Sequence, residues 1–75
     1  MKNYILVNVT TGILEYYDNL GVAYEHADHC KDKYEIPMMF LIYDASGKLV
    51  ETVGEEEYIK YLSTVVDQYK EEEQG

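Results

Sequence analysis

Arginine and tryptophan are missing from this 75-residue chain, and cysteine, proline and phenylalanine occur once each. Without arginine there are no planar, bidentate forks for phosphate. Six lysines against 15 Asp and Glu, a formal net charge of −9, leave no basic cluster to replace them, which argues against direct contact with nucleic acid. The lone cysteine, Cys30, has no internal disulfide partner, so packing alone must hold the chain together, and a reducing compartment suits it. No stretch approaches the ~18 consecutive apolar residues of a membrane span. The first apolar run, Tyr4 to Val7, is too short for a signal-peptide core and lacks a small-residue cleavage site, so the expected location is the cytoplasm, without membrane association. A chain this short buries only ~60% of the surface it exposes when unfolded, so its core must be efficient or shared with a partner.

The segment from Tyr4 to Val9 is rich in β-branched residues and ends in Thr10-Thr11-Gly12; strand-like composition resumes from Ile13 to Tyr17, which predicts a hairpin. Asp18 or Asn19 can cap a helix whose apolar positions Leu20, Ala23, Ala27, Cys30 and Tyr34 recur at spacings of three and four and which should stop near Glu35, ahead of Pro37. The most apolar run, Met38 to Tyr43, leads through Asp44-Ala45-Ser46-Gly47 into Lys48 to Val53, a second hairpin. After Gly54, three glutamates crowd the start of a helix that carries Tyr58, Ile59, Leu62, Val65, Val66 and Tyr69 on one face. The expectation is one α+β domain over residues 1–70, ordered ββαββα. Its sheet has four mostly antiparallel strands from two hairpins with two helices packed on it, and a disordered acidic tail follows over 71–75. Offset by 35 residues the halves pair Gly12 with Gly47, Leu6 with Leu41 and Tyr34 with Tyr69. A duplicated ββα unit gives this, and so do any two amphipathic ββα units.

Residues able to carry chemistry are few. His26 and Cys30, at i and i+4, share one helical face as metal ligands do, but His29 points elsewhere and no second cysteine completes a site. Cys30 lies in the C-terminal half of its helix, where the dipole opposes a thiolate. Ser46 and Ser63 lie outside any nucleophile elbow, and no Gly-x-Gly cradles a phosphate. The expectation is a protein that is not an enzyme and holds no metal or cofactor.

Surface is what is left. Glu25, Asp28, Asp32 and Glu35 at steps of three and four form an acidic stripe on the first helix, able to imitate a row of phosphates before a basic groove. Tyrosine is abundant, with nine residues. Tyr24, Tyr34, Tyr58 and Tyr69 belong to the apolar helix faces, whereas Tyr4, Tyr16, Tyr17, Tyr43 and Tyr61 are candidates for a recognition surface. Tyr17 and Tyr61 join the acidic stripe as expected partner-binding residues. The strands are apolar on both faces. Phasing strands one and three together places Ile5, Val7, Phe40 and Ile42 on one face and Leu6, Met39, Leu41 and Tyr43 on the other. Tyr4, Leu6, Met39, Leu41 and Tyr43 are thus candidates for self-association.

In its shortness, acidity and scarcity of cysteine, the chain resembles the small proteins with which bacteriophages inhibit host enzymes, some of them mimics of nucleic acid. That resemblance implies an inhibitor of a nucleic-acid-handling host protein. The expected function is a non-enzymatic protein that occupies a basic surface of a larger protein; the alternative is a homodimeric structural or regulatory module whose acidity serves solubility.

Overall fold

A computed structural model describes residues 3–74, with side chains as far as Lys70. The elements run β1 (Tyr4–Asn8), β2 (Leu14–Tyr17), α1 (Leu20–Cys30), β3 (Phe40–Asp44), β4 (Leu49–Val53) and α2 (Glu55–Gln74). The four strands form one antiparallel sheet in the order β2-β1-β3-β4, so the fold is α+β with ββαββα order. The acidic tail expected over 71–75 falls on residues whose side chains lie outside those described.

Both hairpins are built on a short polar side chain that folds back on the turn. The Asn8 amide oxygen accepts from the backbone N–H groups of Thr10 (3.0 Å) and Thr11 (3.1 Å), and Gly12 N–H donates to the Asn8 carbonyl at 2.7 Å. The Asp44 carboxylate accepts from Ser46 N–H (2.9 Å), Ser46 Oγ (2.6 Å) and Lys48 N–H (3.0 Å). Those bonds from Ser46 and Lys48 favour the ionised form and hold Asp44 below the ordinary carboxylate range. Gly12 and Gly47 take φ of 80° and 86°, where a side chain is strained. Asn19 supplies the expected cap of α1, its side-chain oxygen accepting from Gly21 N–H at 2.7 Å and Val22 N–H at 3.3 Å.

The core is small: Leu6, Phe40, Ile42 and Val53 from one face of the sheet, Met38 beside them, and Ala23 and Ala27 from α1. Both alanines have no exposed surface. Their small side chains let the α1 backbone come close, and the helix packs against all four strands. Leu6 opposes Ile42 in the β1–β3 ladder, so Leu6 shares its face with Phe40 and Ile42. The phasing read from sequence placed Leu6 on the opposite face. When a strand is apolar on both sides, alternation does not reveal which side is inward, and a shift of one residue exchanges the faces.

Helix α1 ends one turn before Glu35. The Lys31 carbonyl accepts from Met38 N–H at 3.2 Å and Lys33 N–H turns back to the Cys30 carbonyl at 3.2 Å, which directs the chain into β3. Helix α2 departs further from expectation. Tyr58 and Tyr61 are half-buried, while every residue from Leu62 to Lys70 is exposed. The molecule measures 53 × 24 × 17 Å, and a 20-residue helix, about 30 Å long, accounts for its long axis. α1 packs against all four strands, whereas the apolar stripe of α2 beyond Tyr61 stands exposed.

Gly54 joins β4 to α2 with φ of 77°, and a Cβ there would meet the Met38 carbonyl oxygen at 2.3 Å. Gly54→Ala should therefore lose more than about 2 kcal/mol, because left-handed strain alone costs roughly 1–2 kcal/mol. Gly12→Ala, with open space around its Cβ position, should lose only the strain; denaturant unfolding of the two variants measures the difference. In the same assay Leu6→Ala should cost about 2–5 kcal/mol, as expected for a leucine 2% exposed.

Candidate functional site

Two regions present themselves: a polar cluster beside α1, and the apolar surface that the fold leaves open.

The cluster arises because Glu15 and Tyr17 alternate onto the α1 side of β2, opposite Leu6 and Tyr4. His26 and Cys30 project from α1 at i and i+4 toward the same place. His26 Nε2 lies 3.3 Å from Glu15 Oε2 and 3.7 Å from Cys30 Sγ, and the Tyr17 hydroxyl donates to Glu15 Oε2 at 2.6 Å. The rings of Tyr17 and His26 pack at 5.9 Å between centroids. Beside them is a groove of about 260 Å³ whose lining includes Leu6, Ile13, Met38 and Phe40. A Cys-His-acid relay needs the acid on one imidazole nitrogen and the thiol on the other. Here Glu15 and Cys30 meet the same nitrogen, so each competes with the other for its lone pair or proton. Among the described residues no three of His, Cys, Asp and Glu are grouped so as to hold a metal ion. The cluster fastens β2 to α1. Glu15 was missed in the sequence, where its only signal was a polar residue at i−2 from Tyr17 in a short strand.

The acidic stripe is not continuous. Glu25 and Asp28 stand exposed on α1, but Asp32 and Glu35 lie beyond its end in the turns that lead to Pro37. Asp28 is also engaged with Lys31 at 3.3 Å, which together with the nearby charge raises the lysine's pKa. The tyrosines sort almost opposite to expectation. Tyr24, Tyr34 and Tyr69 are 42%, 54% and 61% exposed, whereas Tyr4, Tyr17, Tyr43, Tyr58 and Tyr61 are half-buried. Tyr16 alone of the proposed surface tyrosines is broadly open. Tyr17 is tied to Glu15 and packs on His26, and Tyr61 is half-buried.

On the face of the sheet away from α1, two rows cross all four strands. Leu14, Val7, Leu41 and Thr52 stand side by side, and so do Tyr16, Ile5, Tyr43 and Leu49. Neither row contains a charge. Leu14, Tyr16 and Leu49 are exposed and the central residues half-buried. Met39, one step before β3, continues the phase of Leu41. Of the residues expected to mediate self-association, Leu41, Tyr43 and Met39 thus belong to the open side, whereas Tyr4 and Leu6 belong to the covered one. The helix α2 adds Ile59, Leu62, Val65, Val66 and Tyr69, all exposed.

No family model matches the chain, and comparison with curated proteins and with solved structures finds no match either. The functional reading therefore rests on this geometry.

Burial, and then the Glu15 carboxylate that it hydrogen-bonds, push the Tyr17 phenol above the ordinary tyrosine range. A raised folded-state pKa means that this contact stabilises the fold below about pH 10 and is lost as pH rises further. In a titration of the tyrosine ring carbons by NMR, Tyr17 should ionise above the ordinary tyrosine range, and Glu15→Gln should bring it down; ionisation of Tyr17 within the ordinary range, unmoved by Glu15→Gln, would contradict the contact.

Proposed function

We propose that this chain is a non-enzymatic protein-binding module that acts in the reducing cytoplasm through its open apolar surface. The observation that carries this reading is the pair of uncharged rows across the sheet, which no element among the described residues packs over. Contiguous apolar surface of this kind on a small protein marks a place where another molecule sits. No helix among the described residues is long and apolar enough to cross a membrane, so a membrane-spanning anchor does not account for the stripe on α2. The absence of catalysis is supported by the shared-nitrogen geometry of Glu15, His26 and Cys30.

A second reading keeps the acidic surface as the active one, with Glu25, Asp28 and the exposed ring of Tyr24 held against a basic surface of a larger protein. Its specific support is the net charge of −9, which no arginine offsets, and it makes the chain an inhibitor of whatever that surface serves. The two readings respond oppositely to salt. Between about 0.01 and 1 M the screening length falls from roughly 30 Å to 3 Å. Acid-to-base contact weakens steeply over that range, whereas apolar contact is retained or strengthened.

Affinity capture from lysate of the source cells, with the tagged protein, separates them. On the leading reading, a bound protein, either another copy or a different chain, is retained at high salt and lost in Leu14→Lys/Leu41→Lys. Release by salt, with dependence on Glu25 and Asp28 and none on Leu14 or Leu41, would establish the second reading instead.

A further inference from the structure

We infer that the open sheet face is the seat for helix α2 of a second copy of this chain, and that each copy in a pair gives its α2 to the other. The inference rests on the protein-binding reading and names the partner.

The width of the α2 stripe is the first argument. Tyr58, Leu62, Val65 and Tyr69 follow a 4-3-4 spacing like the a and d positions of a heptad, but Ile59 and Val66 add the e positions and broaden the apolar arc to roughly 120°. That is the pattern of a helix packed on a broad surface. A two-stranded coiled coil uses the narrower a/d seam and sustains it over at least ~3–4 heptads, which α2, polar after Tyr69, does not reach. The open face of the sheet, with its two uncharged rows, offers a broad surface for such a helix.

Connectivity makes the partner a second copy. Gly54, immediately before α2, lies against the end of α1: a Cβ there would stand 3.5 Å from the Lys31 Cβ. The helix thus begins on the α1 side, joined to β4 by Gly54 alone, and its own open face lies on the far side of the sheet. The helix of another copy has no such constraint. Dimensions agree as well. Ile59 to Tyr69 spans about 15 Å along the helix, and the sheet's four strands span about 14 Å between the outer ones at ~4.8 Å spacing. Pairing covers two apolar surfaces of each copy at once, the open sheet face and the α2 stripe, toward the about 800 Å² per partner of a standard stable interface. The two sheet rows carry no charge, so the acids of two chains of net charge −9 meet only at the rim of the contact, and added salt strengthens the pair by screening them.

The test is complementation between two variants, followed by sedimentation equilibrium. Leu62→Lys/Val66→Lys spoils the helix and leaves the sheet; Leu14→Lys/Leu41→Lys spoils the sheet and leaves the helix. Both lower the net negative charge, so a loss of association cannot come from added repulsion. Circular dichroism and thermal unfolding check that each folds, with Leu14→Lys/Tyr16→Lys on the exposed strand β2 as the second sheet variant. The unmodified protein should dimerise and each variant alone should be monomeric. Their mixture should form a one-to-one pair with a Kd raised at least about tenfold, because one contact of two is restored. A sheet variant that still dimerises alone shows helix-helix pairing, a helix variant that does so shows sheet-sheet pairing, and either overturns the inference. An unmodified protein that is monomeric at about millimolar concentration overturns it too, while the protein-binding reading then stands or falls on capture of a different chain through Leu14 and Leu41.

Discussion

The close seating of α1 on the sheet governs the rest of this structure. Ala23 and Ala27 have no exposed surface, and because neither extends beyond a methyl group the helix axis approaches the strands and lies across all four. A bulkier residue at either position would lift the helix and open the layer that holds Leu6, Phe40, Ile42 and Val53. The second helix does not share this seat. α1 packs against all four strands, whereas the apolar stripe of α2 from Leu62 to Tyr69 is left exposed, which departs from the symmetrical arrangement suggested by two ββα halves. Likeness between the halves therefore extends through the hairpins, with their Asn8 and Asp44 turns, and stops at the helices.

What was legible in the sequence follows from the range of the interactions involved. Turns and caps are local: the turn at Gly12, the Asp44–Gly47 turn and Asn19 ahead of Leu20 each act within about four residues and stand where the sequence pointed, although the part Asn8 plays in the first turn was not read from it. The alternation that distinguishes inside from outside is local only when one face is polar. In β1 and β3 both faces are apolar, so the assignment of Leu6 to the core and of Ile5 and Val7 to the open side depends on the β1–β3 register, which links residues some 35 positions apart. The same reason misplaced the tyrosines. Helical periodicity put Tyr24, Tyr34 and Tyr69 on apolar faces, but burial needs an opposing surface, and α1 ends before Tyr34 while α2 meets none at Tyr69. Of the candidate site, an open apolar face was expected because the strands are apolar on both sides. Its residues were not, because phase and register lie outside local pattern.

Electrostatics and apolar burial divide this molecule between them in space. The acids gather at turns, on the outer side of α1 and near the two ends of α2, while the rows on the open sheet carry none. Net charge keeps such chains apart in solution through repulsion that falls off with the screening length, whereas apolar attraction acts only on contact. A chain with both therefore resists indiscriminate clustering and still permits one well-fitted association, provided the partner covers the uncharged rows fully. Strand edges sharpen the point. β2 and β4 are free edges, and Glu15 on β2 and Glu51 on β4, with the bulge between Ile42 and Tyr43, discourage edge-to-edge growth of the sheet. The edges are thereby guarded, whereas the open face is not.

That division bears on how the acidity itself should be understood. If the charge were a phosphate imitation, the acids would need a fixed spacing on one rigid element, since a basic groove reads position as well as sign. The stripe meets this requirement only at Glu25 and Asp28; beyond Cys30 the backbone turns, and Asp28 is partly neutralised by Lys31. Acids that maintain solubility need no such order and need only stay clear of the apolar contact, which is how they are distributed here. A small core, seven buried apolar residues among those described, gives the same argument a thermodynamic side. A domain of this size gains proportionately more than a large one from any further apolar area removed from water, and the open sheet and α2 are where that area lies. The exposed helix is then better explained as half of an interface than as an excess of chain.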